Sequence, residues 1–228
     1  MSEKRSDRLL RIGVLISGSG TNLQAIIDAI GRRELKAQIR LVISNRANAY
    51  GLERARQAGI RTLVLDHRRF RSREAYDQQL VTELAAADVE LVVLAGFMRL
   101  LSNVMIQAFP NRIMNIHPAL LPSFPGLHVQ KAAVDYGVRF SGCTVFFVTE
   151  GVDDGPIIIQ AVVPVYPEDS EEELAARILA QEHRIYPRAI ALFQEGRLEV
   201  SGRRVLIKGL RRPGESPVLI NPPLAESD

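Results

Sequence analysis

Five short runs rich in aliphatic residues recur through the first half of the chain and constrain its fold more than any other feature. They cover residues 12–16, 39–44, 62–65, 91–95 and 113–117. Runs that stay apolar instead of alternating with polar residues are typical of parallel strands, which are buried on both faces. Segments with helical periodicity separate these runs. The pattern predicts an α/β fold with a doubly wound, mostly parallel open sheet, whose ligands bind beyond the carboxyl ends of the strands.

The chain changes character after the turn residues 123–126. A short helical pattern is followed by two apolar segments, 142–149 and 157–165, which flank a loop rich in turn residues. Ser170 and Glu173 form a capping-box pattern for a long helix that ends near residue 196, and a hairpin pattern at 198–207 follows. We therefore expect an antiparallel C-terminal extension of the sheet.

The length of 228 residues suits one globular domain, which we place at 11–210 between a polar leader, 1–10, and a loose proline-rich tail, 211–228. The net charge is +3, from 29 basic and 26 acidic residues, and the basic run 68–73 is typical of a solvated loop. No uncharged apolar run approaches the roughly 18 residues of a membrane span. The single Cys143 fits a reducing compartment, and no His or Cys cluster has metal-ligand spacing. We expect a cytoplasmic monomer or homodimer that acts on small molecules, without nucleic acid, membrane or metal.

The first strand leads through a loop with two glycines, residues 17–22 (SGSGTN), into a helix. Free backbone N–H groups and the positive end of a helix dipole suit such a loop to an anion, most often phosphate. The pattern lacks a third glycine and a lysine, so it matches neither the dinucleotide fingerprint nor the Walker loop. The alternative is a tight turn with a side-chain N-cap at Ser19 or Thr21.

The fifth strand carries two polar side chains, Asn115 and His117, which point the same way because strand residues alternate faces. Pro118 ends the strand pairing and should leave the imidazole at a rim, where ligands of such sheets bind. The amide of Asn115 and the titratable ring of His117 would then lie close together at the end of the strand. The alternative interpretation is that Asn115 caps a turn and His117 is a surface histidine.

Three carboxylates lie in positions of interest. Asp153 and Asp154 occupy the turn-rich loop, and we assign Asp154 to the turn and a candidate site role to Asp153. Glu182, on the long helix, is expected to face outward or towards a ligand.

Together these residues resemble the phosphoribosylglycinamide formyltransferase family of folate-dependent enzymes over about residues 10–200. The motifs that carry the resemblance are 17–24 (SGSGTNLQ), 44–45 (SN), 94–99 (LAGFMR), 115–118 (NIHP), 120–122 (LLP), 126–128 (GLH), 153–156 (DDGP) and 182–183 (EH). Asn115, His117 and Asp153 alone would indicate only the wider group of formyltransferases. That group includes methionyl-tRNA formyltransferase, formyltetrahydrofolate deformylase and sugar-amine formyltransferases, and the glycine loop narrows the choice.

The resemblance implies transfer of the formyl group of 10-formyltetrahydrofolate, as co-substrate, to the amine of glycinamide ribonucleotide in purine synthesis. It implies that Asn115, His117 and Asp153 are catalytic, and that the nucleotide is bound by Gly20, Thr21, Asn22 and Glu182. It implies that the folate is bound by Arg73, Met98, Arg99, Leu100, Leu101, Asn115, Thr149, Glu150, Gly151, Val152 and Asp153.

Formyl transfer between two nitrogens needs a donor to a developing oxyanion and a path for one proton. We expect Asn115 and a protonated His117 to donate hydrogen bonds to the oxyanion. Asp153 should keep His117 charged and should also organise a water that shuttles the proton. The chemistry needs no metal and no covalent intermediate. Two alternatives stay open: another enzyme that uses formyltetrahydrofolate, such as a deformylase or a sugar-amine formyltransferase, and a non-catalytic nucleotide-binding module. The chain length disfavours a deformylase or a tRNA-acting enzyme, both of which would carry a further domain.

Overall fold

The computed structural model describes residues 8–210, 219 and 221, and these form a single nine-stranded sheet with helices on both faces. The strands are β1 (Leu10–Ile16), β2 (Ala37–Ser44), β3 (Thr62–Val64), β4 (Leu91–Leu94), β5 (Ile113–His117), β6 (Phe140–Phe147), β7 (Ile157–Pro164), β8 (Leu198–Ser201) and β9 (Arg204–Ile207). The helices are α1 (Thr21–Gly31), α2 (Tyr50–Gln57), α3 (Arg73–Ala86), α4 (Asn103–Ala108), α5 (Val129–Tyr136) and α6 (Glu171–Gln194).

The sheet order is β3-β2-β1-β4-β5-β6-β7-β9-β8. The first five strands in this order are parallel, and β6 and β7 pair antiparallel with their predecessors. The hairpin of β8 and β9 closes the far edge. The predicted doubly wound parallel sheet with an antiparallel C-terminal extension is confirmed.

The order reverses at β1, because β2 lies on one side of it and β4 on the other. Ligands of open α/β sheets bind at the carboxyl ends of strands near such a reversal. The segments that follow β1 and β4 therefore lie beside the expected site, and a backbone bond from the Ser17 N–H to the Gly96 carbonyl, at 3.0 Å, joins them.

Two buried layers cover the sheet. One lies under α1, α2, α5 and α6, and the other lies under α3 and α4. Helix boundaries follow local rules: the Ser72 side chain caps α3, and the predicted capping box of Ser170 and Glu173 starts α6. Within the described residues no helix is long and apolar enough to cross a membrane.

The structure corrects several boundaries. Strand β1 begins at Leu10, which the sequence analysis placed in the leader, and β6 ends at Phe147, so Thr149 lies in the following loop. Helix α4 was not predicted, because its six residues contain a single buried side chain, Met105, and show no periodicity. Part of the basic run 68–73 forms a 3₁₀ turn, His67–Arg69, rather than open loop.

Most of the predicted loose tail lies outside the described residues, and so do residues 1–7 of the leader. Asn221 is one of the two tail residues that the structure describes. Its side-chain amide donates to the carbonyls of Arg139, at 2.7 Å, and Val165, at 3.0 Å. At this one position the tail therefore contacts the sheet.

Candidate active site

Strand β5 brings Asn115 and His117 to the carboxyl end of the sheet. Asn115 is partly exposed, whereas His117 is only 5% exposed. His117 also still pairs with Thr144 of β6, so the expectation that Pro118 leaves the imidazole at a rim is wrong. The same burial excludes the alternative of a surface histidine. The ring is held inside the protein, where its hydrogen bonds fix its orientation.

Both nitrogens of the His117 ring have a neighbour. Nε2 lies 2.8 Å from the backbone carbonyl oxygen of Phe124, and Nδ1 lies 3.5 Å from Oδ2 of Asp153. A carbonyl oxygen can only accept, so Nε2 carries a proton and donates to it. Nδ1 is then the nitrogen that faces the Asp153 carboxylate.

The loop between β6 and β7 is folded so that Asp153 faces His117. Asp153 adopts a left-handed backbone conformation with φ of 50°, and its Oδ2 accepts a hydrogen bond from the Gly126 N–H at 2.9 Å. Asp154, the predicted turn residue, accepts a hydrogen bond from the Thr149 hydroxyl within the same loop. Of the two aspartates, only Asp153 therefore faces the imidazole.

The glycine loop leaves the start of α1 without a side-chain cap. Gly20 is the N-cap residue with φ of 70°, so the alternative of a side-chain cap by Ser19 or Thr21 is wrong. The first intrahelical bond runs from the Gln24 N–H to the Gly20 carbonyl at 2.9 Å. The N–H groups of residues 21–23 consequently have no intrahelical acceptor, and together with the helix dipole they suit the predicted binding of an anion.

Asn22 and Glu182 form a buried pair that joins the glycine loop to α6. The Asn22 Nδ2 donates to Oε2 of Glu182 at 2.7 Å, and Glu182 is 6% exposed. Burial raises the pKa of Glu182, while the bond from Asn22 and the charge of His117 act in the opposite direction. Of the two environments expected for Glu182, the burial excludes the outward one, and the other, towards a ligand, stays a prediction. The Oδ1 of Asn22 is buried and has no hydrogen-bond partner among the described residues, which leaves it open to a donor from a ligand.

The segment after β4, residues 96–101, is tied to the end of β1. The Met98 N–H donates to the Ser17 hydroxyl at 2.9 Å, and that hydroxyl donates to Oδ1 of Asn45 at 2.6 Å. Sequence reasoning placed Ser17 at this edge and Asn45 in a motif, but it gave neither a role, because neither contact follows from strand or helix periodicity. Met98 and Leu100 are left 61% and 57% exposed.

Opposite that segment, the loop after β6 exposes Val152 at 49%. Exposed apolar side chains such as these three are typical of a binding surface when they lie together. Arg99 packs its guanidinium 5.4 Å from the Tyr76 ring centre. The remaining predicted folate residues of the cleft, Leu101, Glu150 and Gly151, lie in the same two segments.

Arg73 is the predicted folate residue that lies away from the cleft. It opens α3, is exposed, and has its ion pair with its neighbour Glu74 at 3.7 Å. No described contact joins it to His117 or Asn115. In residues 8–210, no group of three or more His, Cys, Asp or Glu side chains has the arrangement of a metal site.

The chain matches the formyl transferase family over residues 10–190. Phosphoribosylglycinamide formyltransferase of Escherichia coli (strain K12) is 49% identical over 204 residues, which cover 90% of this chain and 96% of that protein. The trifunctional purine biosynthetic protein adenosine-3 of Drosophila melanogaster is 52% identical over 198 residues, which cover 86% of this chain and 15% of that longer protein.

Solved structures agree with these relatives. Glycinamide ribonucleotide transformylase 1 from Symbiobacterium toebii superposes with a TM-score of 0.86 at 59% identity, covering 87% of this chain and 94% of that one. The family match over residues 10–190 spans the glycine loop, the polar pair of β5 and Asp153. The chain therefore belongs to the formyl transferase family.

Proposed function

We propose that this protein transfers the formyl group of 10-formyltetrahydrofolate to the amine of glycinamide ribonucleotide, giving formylglycinamide ribonucleotide and tetrahydrofolate. The observation that carries the proposal is the link between an anion site and a catalytic pair. The uncapped start of α1 is joined to Glu182 through Asn22, and His117 lies close enough to Glu182 for its charge to lower the pKa of that carboxyl. A small phosphorylated amine bound there would present its amine to His117.

In this proposal the nucleotide phosphate accepts from the N–H groups at Gly20, Thr21 and Asn22. Glu182 accepts from the ribose hydroxyls, and the unpartnered Oδ1 of Asn22 offers a further acceptor beside it. A buried carboxylate without a cation is costly in the free protein, so two hydroxyl donors from a sugar would lower its free energy on binding.

The folate would bind between residues 96–101 and the loop after β6. The exposed apolar side chains of Met98, Leu100 and Val152 suit the faces of a pterin and a benzoyl ring. Thr149, Glu150 and Gly151 would contribute backbone groups from their loop. Arg73, at the protein surface, would reach only the distal carboxylates of the co-substrate.

The amine attacks the formyl carbon, and the formyl oxygen becomes negative in a tetrahedral intermediate. The amide of Asn115 and the imidazole of His117 are the donors for this oxyanion. Because Nε2–H of His117 already donates to the Phe124 carbonyl, the formyl oxygen must take the place of that acceptor. The incoming negative oxygen is the stronger acceptor, since bonds to ionised groups are stronger than bonds to neutral ones.

The reaction also moves one proton, from the attacking amine to the folate nitrogen that leaves. Asp153, whose Oδ2 lies 3.5 Å from Nδ1 of His117, would hold a water that carries this proton. Collapse of the intermediate breaks the bond between the formyl carbon and the folate nitrogen, which departs with the proton. No covalent bond to the protein is needed: Cys143 is fully buried, and burial raises the pKa of its thiol to about 12.

The test is a formyl-transfer assay with purified protein, 10-formyltetrahydrofolate and glycinamide ribonucleotide, with the products measured by mass spectrometry. We expect formylated nucleotide with the wild type and none with His117→Ala. Formate release that needs no acceptor would indicate a deformylase, and transfer to a nucleotide-linked amino sugar instead would indicate a sugar-amine formyltransferase. Binding of the nucleotide without any transfer would indicate a non-catalytic module.

We further propose a cytoplasmic location and a monomeric or homodimeric state. The reduced, buried Cys143 and the small-molecule substrates support the compartment. Fractionation and sedimentation would test these two assignments independently of the activity.

A further inference from the structure

A cleft of about 440 Å³ runs along α1 from the glycine loop, between that helix, α2 and α6. Basic side chains of α2 and α6 line it, together with Arg32 just after the end of α1, and Arg54 of α2 contacts the loop. The polar groups that line the cleft include Thr21, Gln24, Asp28, Arg54 and His183. Because the cleft begins at the anion site of α1, its charges act on any anion bound there.

Helix α2 holds the backbone of the glycine loop through two hydrogen bonds. The Arg54 Nε–H donates to the Ser19 carbonyl at 2.9 Å, and the Gly51 N–H donates to the Gly18 carbonyl at 3.0 Å. A trans peptide is planar, so a carbonyl and the next N–H point in opposite directions. The N–H groups of Ser19 and Gly20 therefore point away from α2, to the open side of the loop.

The Arg54 side chain is itself fixed on two further sides. Its guanidinium stacks over the Tyr50 ring at 4.9 Å, and its Nη1 donates to Oε1 of Gln24 at 3.4 Å. The amide of Gln24 is oriented in turn, because its Nε2 donates to Oδ1 of Asp28 at 2.8 Å. A planar guanidinium held in this way loses little conformational freedom when an anion binds.

The charge of Arg54 is not neutralised locally. In the part of the chain that the structure describes, no ion pair joins Arg54 to a carboxylate. Its charge reaches across the cleft to His183, where burial lowers the pKa, Asp28 raises it and Arg54 lowers it further. An uncompensated cation beside uncapped N–H groups attracts a dianion more strongly than the helix end alone.

We propose that Arg54 is a positioning residue for the nucleotide phosphate. Its Nε–H holds the Ser19 carbonyl, which turns the Gly20 N–H towards the phosphate, and its charge adds to the attraction of the anion site. The identity of the nucleotide rests on the proposed function, whereas the role at a phosphate group does not. Sequence motifs give no indication of this role, because Arg54 belongs to another helix and its residue type is common on helix surfaces.

Three variants test the role of Arg54. Arg54→Gln removes both the charge and the bond to Ser19, and Arg54→Lys keeps the charge without the planar donor pair. Arg56→Gln is the matched control, because Arg56 lies on the same helix, is exposed, and pairs only at 3.5 Å with Glu53. Each protein is melted with and without ribose 5-phosphate, using ribose as the phosphate-free probe, and kcat and KM are measured for glycinamide ribonucleotide.

We expect ribose 5-phosphate to raise the melting temperature of the wild type and of Arg56→Gln, with little or no rise for Arg54→Gln and a reduced rise for Arg54→Lys. The KM for the nucleotide should rise at least about tenfold in Arg54→Gln. This is the loss expected when the Gly20 N–H no longer donates a hydrogen bond to the charged phosphate. Its kcat at saturation should stay within about twofold, since Arg54 does not touch the reacting atoms.

Two outcomes would overturn the role of Arg54. One is an undiminished stabilisation of Arg54→Gln by ribose 5-phosphate, and the other is a loss of kcat with an unchanged KM. A wild type that is stabilised by ribose 5-phosphate through Arg54, yet transfers no formyl group to glycinamide ribonucleotide, would refute the proposed function and leave the phosphate role intact. Full formyl-transfer activity of the wild type, together with normal stabilisation of Arg54→Gln by ribose 5-phosphate, would support the proposed function and refute the phosphate role of Arg54.

Discussion

Replacing Gly20 with alanine should destabilise the protein and weaken nucleotide binding together. The φ of Gly20 is 70°, a left-handed conformation that costs an L residue roughly 1–2 kcal/mol. A Cβ at this position would also lie 2.5 Å from the Cα of Gly51, a backbone atom that cannot rotate away. Overpacking of this kind typically costs about 1–3 kcal/mol. We therefore expect the free energy of unfolding to fall by about 2–5 kcal/mol.

For a chain of this size each kcal/mol corresponds to about 2–4 °C, so the melting temperature of Gly20→Ala should fall by at least about 4 °C. If the protein instead relieves the clash by moving the loop from α2, the phosphate loses its aligned N–H donors. The KM for glycinamide ribonucleotide should then rise at least about tenfold. Calorimetry measures the first effect, and steady-state kinetics measures the second.

Gly31→Ala is the matched control, because Gly31 ends the same helix and a Cβ there meets nothing within 4 Å. Alanine in place of a helical glycine stabilises by roughly 0.5–1 kcal/mol, so the control should melt at the same or a higher temperature with an unchanged KM. The reasoning is refuted if Gly20→Ala melts like the wild type and keeps its nucleotide KM. Equal losses in both variants would also refute it, since the effect would then not depend on the contact with Gly51.

Asp153→Asn should lower turnover by roughly a hundredfold while nucleotide affinity is kept. The double variant with His117→Ala should be little worse than the worse single variant, because the effects of residues that act as a unit are not additive. Steady-state kinetics on the three proteins measures the turnover, and calorimetry measures the nucleotide affinity. The folded-state pKa of Glu182 is raised, so between its unfolded value and that raised value the folded protein binds more protons, and stability falls as pH rises through this window. Thermal unfolding across pH should therefore show that Glu182→Gln stabilises the protein more at pH values above the window than below it, and an equal effect at all pH values would contradict the assignment. Deletion of 211–228 should leave activity unchanged and cost no more than the two hydrogen bonds of Asn221, roughly 1 kcal/mol each, a limit that the melting temperature of Asn221→Ala checks.

The parallel sheet could be predicted because burial on both faces leaves a direct mark on composition. Strands β1 and β4 consist almost wholly of aliphatic residues, and every residue of β4 is buried. Burial of both faces gives no signal for α4, a helix of six residues that begins after a turn. There the buried carboxylate of Asp77 accepts from the Ser102 N–H at 2.5 Å, a contact between residues 25 positions apart that no local pattern contains.

The site was predictable where strand alternation determines side-chain direction, and not where backbone groups do the positioning. Asn115 and His117 follow from the period of two along β5. The Phe124 carbonyl that holds His117 could not be found in the same way, since every residue has a carbonyl. The environment of Glu182 stayed open between solvent and a ligand for a related reason: its helix position is visible in the sequence, but its partner Asn22 lies 160 residues away.

Among the described residues, three of the six non-glycine residues with positive φ lie in the two loops beside His117: Phe124, His128 and Asp153. The other three, Arg33, Asp88 and Asn111, lie in turns elsewhere. Phe124 is a bulky residue that rarely adopts this conformation, whereas His128 is of a type that adopts it more readily. These two lie in the loop whose carbonyl holds the imidazole, and Asp153, also at positive φ, lies in the facing loop. Strained backbone of this kind costs about 1–3 kcal/mol per residue and persists only when its surroundings hold it. The Gly126 N–H bond to Asp153 joins the two loops, and the His117 bond to the Phe124 carbonyl joins β5 to the first of them, so a shift of the loop 123–128 would release both His117 and Asp153.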